Sequence, residues 1–170
     1  MRMENWEWRI TGANWQSQFD SDGLRPNGVR AMNDENPIVK KSFQFAVRVI
    51  RCYQYLCQAK KEFVLSKQLL RSGTSIGANI CEAQEAQSRK DFLSKMSIAL
   101  KEASETCYWL ELLMATDYLT SDMAKSLYTD SVELRKMLAS IVKSTKEKIQ
   151  SKSRSDFVPI ILHSPFSIFH

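Results

Sequence analysis

The central part of this chain has no proline and carries apolar residues at helical spacing. No proline occurs between Pro37 and Pro159 of the 170 residues, so no pyrrolidine ring interrupts a helix there. Apolar side chains recur every three or four positions across this range, as they do on one face of an α-helix. These features predict long helices that pack side by side in a bundle.

Four helices are predicted, and capping residues mark three of their starts. Asn36 precedes Pro37 as an N-cap, Ser88 caps the third helix, and Thr120 or Ser121 caps the fourth. The predicted helices cover about residues 37–60, 62–86 and 89–116, and a fourth runs from 121 into the Lys/Ser-rich stretch 143–154. Short links between helices of this length are typical of an all-α, up-down-up-down four-helix bundle.

The chain divides into three parts by composition. Residues 1–36 form an N-terminal extension without a sustained apolar period, so we expect it to be irregular. Residues 37–150 form the bundle, and residues 151–170 form an apolar C-terminal tail. The tail either docks into a groove on its own or a neighbouring subunit or is a disordered end. An exposed apolar segment of this kind would promote aggregation.

Two apolar stripes run along the first predicted helix. The first stripe consists of Val39, Phe43, Ala46, Ile50, Tyr53 and Cys57. The second stripe consists of Ile38, Phe45, Val49, Cys52 and Leu56. Such a wide apolar face is more than one bundle core requires. Either deep burial or a subunit interface explains it.

The second predicted helix carries a polar stripe beside its apolar one. Its members recur at spacings of three, four and three and therefore share one face. Carboxylates on the third helix would lie opposite this face if the two helices are antiparallel, and a partly buried carboxylate needs a partner. The seven residues of this motif network are Arg71, Ser72, Ser75, Asn79, Glu82, Glu102 and Glu105. The network either fixes helix register and assembly or lines a ligand pocket.

Positive charge is concentrated in the predicted bundle. Residues 37–150 contain 18 Lys+Arg and 12 Asp+Glu, a balance of +6, whereas residues 1–36 contain 4 and 6, a balance of −2. A basic domain can bind nucleic acid or another polyanion, and an ordinary solvated surface also accounts for this charge. The candidate phosphate contacts are Lys40, Lys41, Arg48, Arg51, Lys60, Lys61, Lys136, Lys143, Lys146 and Lys148.

The sequence contains few candidate residues for catalysis or metal binding. The two histidines, His163 and His170, both lie in the tail, so the bundle has no imidazole for a di-iron site or a nucleophile. Gly73 and Gly77 lack the lysine of a phosphate-binding loop and instead let another helix approach closely. We therefore expect no enzymatic activity, no metal and no cofactor.

The cysteines and the termini predict a cytoplasmic location. Cys52, Cys57, Cys81 and Cys107 contain no CxxC pair, and all four fall inside predicted helices, where reduced thiols pack as small hydrophobes. No apolar run is long enough to span a membrane. The first residues lack the apolar core of a secretory signal.

Three blocks in order resemble the family named for the 23S rRNA intervening sequence. The first block spans residues 70–83 and carries Ser75, Asn79 and Glu82. The second spans residues 86–92 with Lys-Asp-Phe at 90–92, and the third spans residues 97–112 with Glu105 and Trp109. The resemblance covers about residues 37–148 and neither terminal extension. At position 83, where the family often has Gly, this chain has Ala83.

The resemblance implies a left-handed up-down bundle that assembles into a homopentameric ring. It implies no enzymatic activity or cofactor, and similar bundles in diversity-generating retroelements are basic pentamers that bind nucleic acid. The leading hypothesis is therefore a non-enzymatic homo-oligomer that binds RNA or DNA through basic surfaces. The alternative is a protein–protein interaction scaffold, with the polar stripe and apolar tail recruiting a partner.

Overall fold

Four helices make up the part of the chain that the structure, a computed structural model, describes. This part comprises residues 36–155, with side chains through residue 152. The helices are α1 (Pro37–Gln58), α2 (Leu65–Gln84), α3 (Arg89–Ala115) and α4 (Ser121–Ser155). No strand occurs within residues 36–155, and the predicted all-α four-helix fold is confirmed. The predictions for residues 1–35 and 156–170 lie outside the described residues.

Two of the predicted caps form as expected. The Asn36 side chain accepts a hydrogen bond from the Ile38 backbone N–H at 3.3 Å, and the Ser88 side chain accepts one from Asp91 at 3.1 Å. At the start of α4, Thr120 is the capping residue, because its Oγ1 lies 3.4 Å from the Met123 backbone nitrogen. These caps satisfy N–H groups that have no partner inside the helix.

The start of α2 differs from the prediction. The helix begins at Leu65 and not near Glu62, because the Glu62 carboxylate caps it from outside. Glu62 Oε1 accepts hydrogen bonds from the backbone N–H groups of Val64 and Leu65, both at 2.8 Å. Glu62 Oε2 accepts one from Ser66 at 2.7 Å. The N-cap residue is Val64, so Glu62 lies two positions before it, outside the helix that its side chain caps.

Each helix packs against two others. α2 lies between α1 and α3, α3 lies between α2 and α4, and α4 returns to pack against α1. All four helices contribute to one core. Its largest fully buried side chains are Phe45, Leu56, Leu69, Ile76, Ile80, Met96, Leu110, Leu113, Met123, Leu127 and Leu134. Burying an apolar side chain of this size contributes about 1.5–3 kcal/mol, so the core dominates the stability of the bundle.

The two stripes of α1 have different environments. The second stripe, which includes Phe45, Val49 and Leu56, is buried in the core. In the first stripe, Phe43 and Ile50 remain 37% and 40% exposed. Deep burial therefore explains only one stripe, and the outer part of the first stripe is an apolar surface of the isolated chain.

Gly73 permits the close packing of α1 against α2. A Cβ atom at this position would lie 2.8 Å from Val49 Cγ1, which is much closer than a van der Waals contact. At Gly77 a Cβ would lie 3.7 Å from the Ser42 carbonyl oxygen, an ordinary distance. Close packing of α1 therefore requires glycine at position 73, whereas at position 77 an added Cβ would also fit.

The fourth helix is longer than predicted. α4 continues to Ser155, so the boundary drawn at residue 150 falls inside a helix. Lysine is a good helix former and serine a tolerated one, and no proline occurs before Pro159. Among the described residues, no helix is both long and apolar enough to cross a membrane.

Candidate nucleic-acid interface and the motif network

The motif network lies where α2 faces α3, but it divides into separate groups. The pair Ser72 and Thr106 is fully buried. Thr106 Oγ1 lies 3.0 Å from Ser72 Oγ and 2.8 Å from the Glu102 carbonyl oxygen. Ser72 Oγ in turn donates to the Gln68 carbonyl oxygen at 3.0 Å. Both buried hydroxyl groups are thus satisfied, and this pair fixes the register between the two helices.

Asn79 and Glu82 do not join that pair. The Asn79 side-chain amide donates to the carbonyl oxygen of Ser75 on its own helix at 2.9 Å. The Glu82 carboxylate accepts from Lys95 Nζ at 2.5 Å, and this interaction raises the pKa of Lys95. Asn79 therefore bonds the preceding turn of its own helix.

A third group contains the two carboxylates of α3 and one arginine of α2. Partial burial raises the pKa of Glu102, the neighbouring charge of Glu105 raises it further, and the positive charge of Arg71 opposes both effects. Glu105 Oε1 accepts a hydrogen bond from Trp109 Nε1 at 3.0 Å. Arg71 of α2 is thus close enough to act on the charge of Glu102.

Arg48 must be removed from the candidate phosphate contacts. Its guanidinium is buried between α1 and α4, where Nη1 pairs with Asp130 and Nη2 donates to Ser126 Oγ at 2.6 Å. A buried guanidinium that already neutralises a carboxylate is not available to a phosphate. Lys41 is also engaged, because its Nζ lies 2.5 Å from Glu133 Oε2. These two pairs connect α1 to α4.

Seven of the eight remaining basic candidates belong to two ends of the bundle, and the eighth, Arg51, lies within α1. Lys60 and Lys61 follow α1, and Lys61 is exposed. At the opposite end lie the exposed lysines Lys40, Lys136, Lys143, Lys146 and Lys148. The pairing of Lys41 with Glu133 sets this arrangement, since it places the start of α1 beside the middle of α4. Arg51 is half-buried.

The four cysteines are free thiols, and burial makes one of them, Cys52, unreactive. None of the four is in a disulfide, and Cys52 and Cys107 are buried. Burial raises the pKa of the Cys52 thiol to about 12, and the nearby charge of Arg48 lowers it only partly. A thiol in this state carries almost no thiolate at neutral pH. Within residues 36–152, no cluster of His, Cys, Asp and Glu could hold a metal ion.

Sequence reasoning missed three contacts of this region. The Glu62 cap, the Glu82–Lys95 pair and the Arg48–Asp130 pair were not predicted. The cap has a rationale only once the structure places Val64, which has no side-chain acceptor, at the N-cap position of α2. The two ion pairs depend on helix register, which no local pattern encodes.

Comparisons with known proteins agree with this fold. The model of the family described as 23S rRNA-intervening sequence protein matches residues 34–140. A similar solved structure, at 1.70 Å, is that of a protein of unknown function from the S23 ribosomal protein family of Bacteroides thetaiotaomicron VPI-5482. It is 57% identical, has a TM-score of 0.62, and the match covers 62% of this chain and 98% of that one. No curated protein matches the chain.

Proposed function

Because the chain belongs to the family of 23S rRNA-intervening sequence proteins, we propose that it is a non-enzymatic homo-oligomer that binds RNA or DNA. The observation that carries this proposal is a set of exposed lysines outside the ion pairs of the bundle. Among the described residues, the ion pairs engage Lys41, Arg48 and Lys95. The candidate lysines of α4 stand outside these pairs and can meet phosphates.

The outer part of the first α1 stripe supports oligomerisation. Phe43 and Ile50 lie outside the core, and the side chain of each is more than one-third exposed. Contact with a neighbouring subunit would remove this apolar surface from water, at about 25 cal/mol per Å² buried. We propose a pentamer, which is the assembly that the resemblance to the family implies.

Assembly would multiply a modest charge. The bundle carries +6 between residues 37 and 150, so five copies carry about +30 in total, and linked sites gain through effective concentration. Each phosphate contact releases a counterion, so the affinity should fall steeply as salt rises. This dependence distinguishes binding through charge from binding through apolar contacts.

The proposal includes a cytoplasmic location and no catalytic step. The four cysteines are free thiols, which is the state expected in a reducing compartment. The role of the protein in this view is to bind and assemble, with no metal or cofactor.

Light scattering coupled to size exclusion, with absorbance recorded at 260 nm, tests the proposal. We expect a mass near five subunits and nucleic acid that high salt removes. A monomer without excess absorbance at 260 nm would contradict both parts of the proposal. A pentamer without bound nucleic acid, and without salt-dependent binding to added RNA or DNA, would contradict the binding part alone.

A charge reversal then localises the interface. Lys136 and Lys143 lie seven residues apart on one exposed face of α4, and the double variant K136E/K143E should weaken binding and flatten its salt dependence by about two phosphate contacts. The control is Lys101→Glu, an exposed lysine of α3 that belongs to no candidate set. The single reversal changes the net charge by two units and the double reversal by four, so a loss of binding free energy from Lys101→Glu half as large as that from K136E/K143E would show that only net charge matters.

A protein–protein scaffold is the second candidate function. The exposed apolar surface around Phe43 and Ile50 favours it, because a different protein could cover that surface instead of a second copy. A purification that recovers a stoichiometric protein partner and no nucleic acid would support this function. The same surface cannot bind a second copy of the chain and a different protein at once. A pentamer that still binds the protein partner would therefore argue against contact of that partner at α1.

A further inference from the structure

The link between α1 and α2 holds two apolar side chains outside the core. Phe63 is 49% exposed and Val64 is 72% exposed. These residues follow two lysines, Lys60 and Lys61, and precede an exposed lysine in the first turn of α2, Lys67. Lys60 and Lys61 are also candidate phosphate contacts, and the apolar pair lies beside them.

Hydrogen bonds hold this link in one conformation. The Glu62 carboxylate accepts three backbone N–H groups of the following residues at 2.7–2.8 Å. The Glu62 backbone N–H donates to the Leu56 carbonyl oxygen at 3.0 Å. Lys61 has a φ of 55°, which residues other than glycine rarely adopt. Phe63 is therefore presented to solvent by a fixed backbone that bonds on both sides of it.

Positively charged lysines precede and follow Phe63 in the sequence. Lys60 Nζ lies 3.4 Å from the Asp117 carbonyl oxygen, a contact that orients the lysine without neutralising it. Glu62, the acidic residue of the link, is buried and occupied by the helix cap. Exposed aromatic rings flanked by cations are the combination that binds unpaired nucleotides, because bases stack on the ring while the cations meet the backbone.

We infer that Phe63 is a stacking platform for an unpaired base, with Lys60, Lys61 and Lys67 contacting the flanking phosphates. This inference rests on the proposed function and names its substrate class, a nucleic acid with a single-stranded loop or end. Bases inside a duplex are already stacked and cannot reach the ring, so a fully paired molecule would use only the charge. Selectivity for unpaired segments would then come from this link, and general affinity from the lysines of α4.

The test uses fluorescence anisotropy with two labelled RNAs of equal phosphate number, a hairpin with an unpaired loop and a blunt duplex. We expect the full-length protein to prefer the hairpin, and Phe63→Leu to lose roughly tenfold or more in affinity for the hairpin alone, since one stacked base contributes on that scale. Phe63→Trp should keep the preference. The matched control is Tyr108→Leu, an aromatic that is 54% exposed on α3, which should change neither affinity.

The outcomes separate this inference from the proposed function. The stacking inference alone is overturned if Phe63→Leu still prefers the hairpin. It is also overturned alone if the wild-type protein shows no hairpin preference but binds the duplex in a salt-dependent way. Failure of the wild-type protein to bind either RNA, or DNA molecules of the same two forms, at low salt overturns both the stacking inference and the binding part of the proposed function. Quenching of the added indole of Phe63→Trp by the hairpin, measured against the wild-type protein, supports stacking directly, and equal quenching by the duplex overturns it.

Discussion

Replacement of Glu62 should destabilise the bundle far more than its place in a surface link suggests. The carboxylate accepts three backbone N–H groups, two at Oε1 and one at Oε2. Hydrogen bonds to a charged group contribute about 1.5–3 kcal/mol each, and loss of a helix cap costs about 0.5–2 kcal/mol. Because the three bonds share one cap and are not additive, we expect Glu62→Ala to lower the free energy of unfolding by about 2–4 kcal/mol.

Glutamine at this position separates charge from geometry. In the Glu62→Gln variant the side-chain amide oxygen can retain the two bonds at Oε1, but the NH₂ group would then face the Ser66 N–H, so two donors would oppose each other. We expect Glu62→Gln to cost about 1–2 kcal/mol, less than alanine. Urea denaturation at a fixed protein concentration measures both variants, since assembly would otherwise shift the midpoints.

The pH dependence of this difference follows from the pKa of Glu62. Burial by itself would raise the pKa, but the hydrogen bonds from Leu65, Ser66 and Val64 outweigh it and hold the pKa below its ordinary value. A depressed carboxyl pKa stabilises the fold above the unfolded-state pKa, and this stability is lost as the pH falls through the folded-state pKa. The stability gap between the wild-type protein and Glu62→Gln should therefore be constant near neutral pH and shrink in the acid range.

An exposed glutamate provides the control and the contradictory result. Glu85 follows α2 and is exposed, so Glu85→Ala should change the free energy of unfolding by no more than about 0.5 kcal/mol. If Glu62→Ala costs no more than Glu85→Ala, the three hydrogen bonds do not contribute as argued, and the fixed presentation of Phe63 loses its basis.

Two further predictions concern the contacts of α1. Gly73→Ala should destabilise the bundle by about 1–3 kcal/mol, because the new Cβ would lie 2.8 Å from Val49 Cγ1. Adding Val49→Ala should recover part of this loss. If the two changes in the free energy of unfolding are strictly additive in denaturation, the contact does not exist. Arg48→Leu should cost up to about 3 kcal/mol by leaving Asp130 without its partner, and the double variant with Asp130→Leu should be more stable than Arg48→Leu alone. If the double variant is the less stable of the two, the pair is not coupled.

The two apolar stripes of α1 show how far a periodic pattern can be interpreted. Two apolar stripes were visible in the sequence, and both contained residues of the correct type for a core. Only the three-dimensional packing of α1 between α2 and α4 shows that Phe45 is buried and that Phe43 is 37% exposed. Which face of a helix is buried depends on the other helices that pack against it, and their residues are far away in the chain.

The sequence by itself determined the number and order of the helices and two of their starts. Those features depend on local interactions: the Asn36 and Ser88 side chains cap residues two and three positions ahead, and the absence of proline acts on each turn separately. The tertiary structure alone decided that Arg48 pairs with Asp130, 82 positions away, and that the motif network divides into separate groups. Such contacts are set by the register and rotation of packed helices, which no single segment contains.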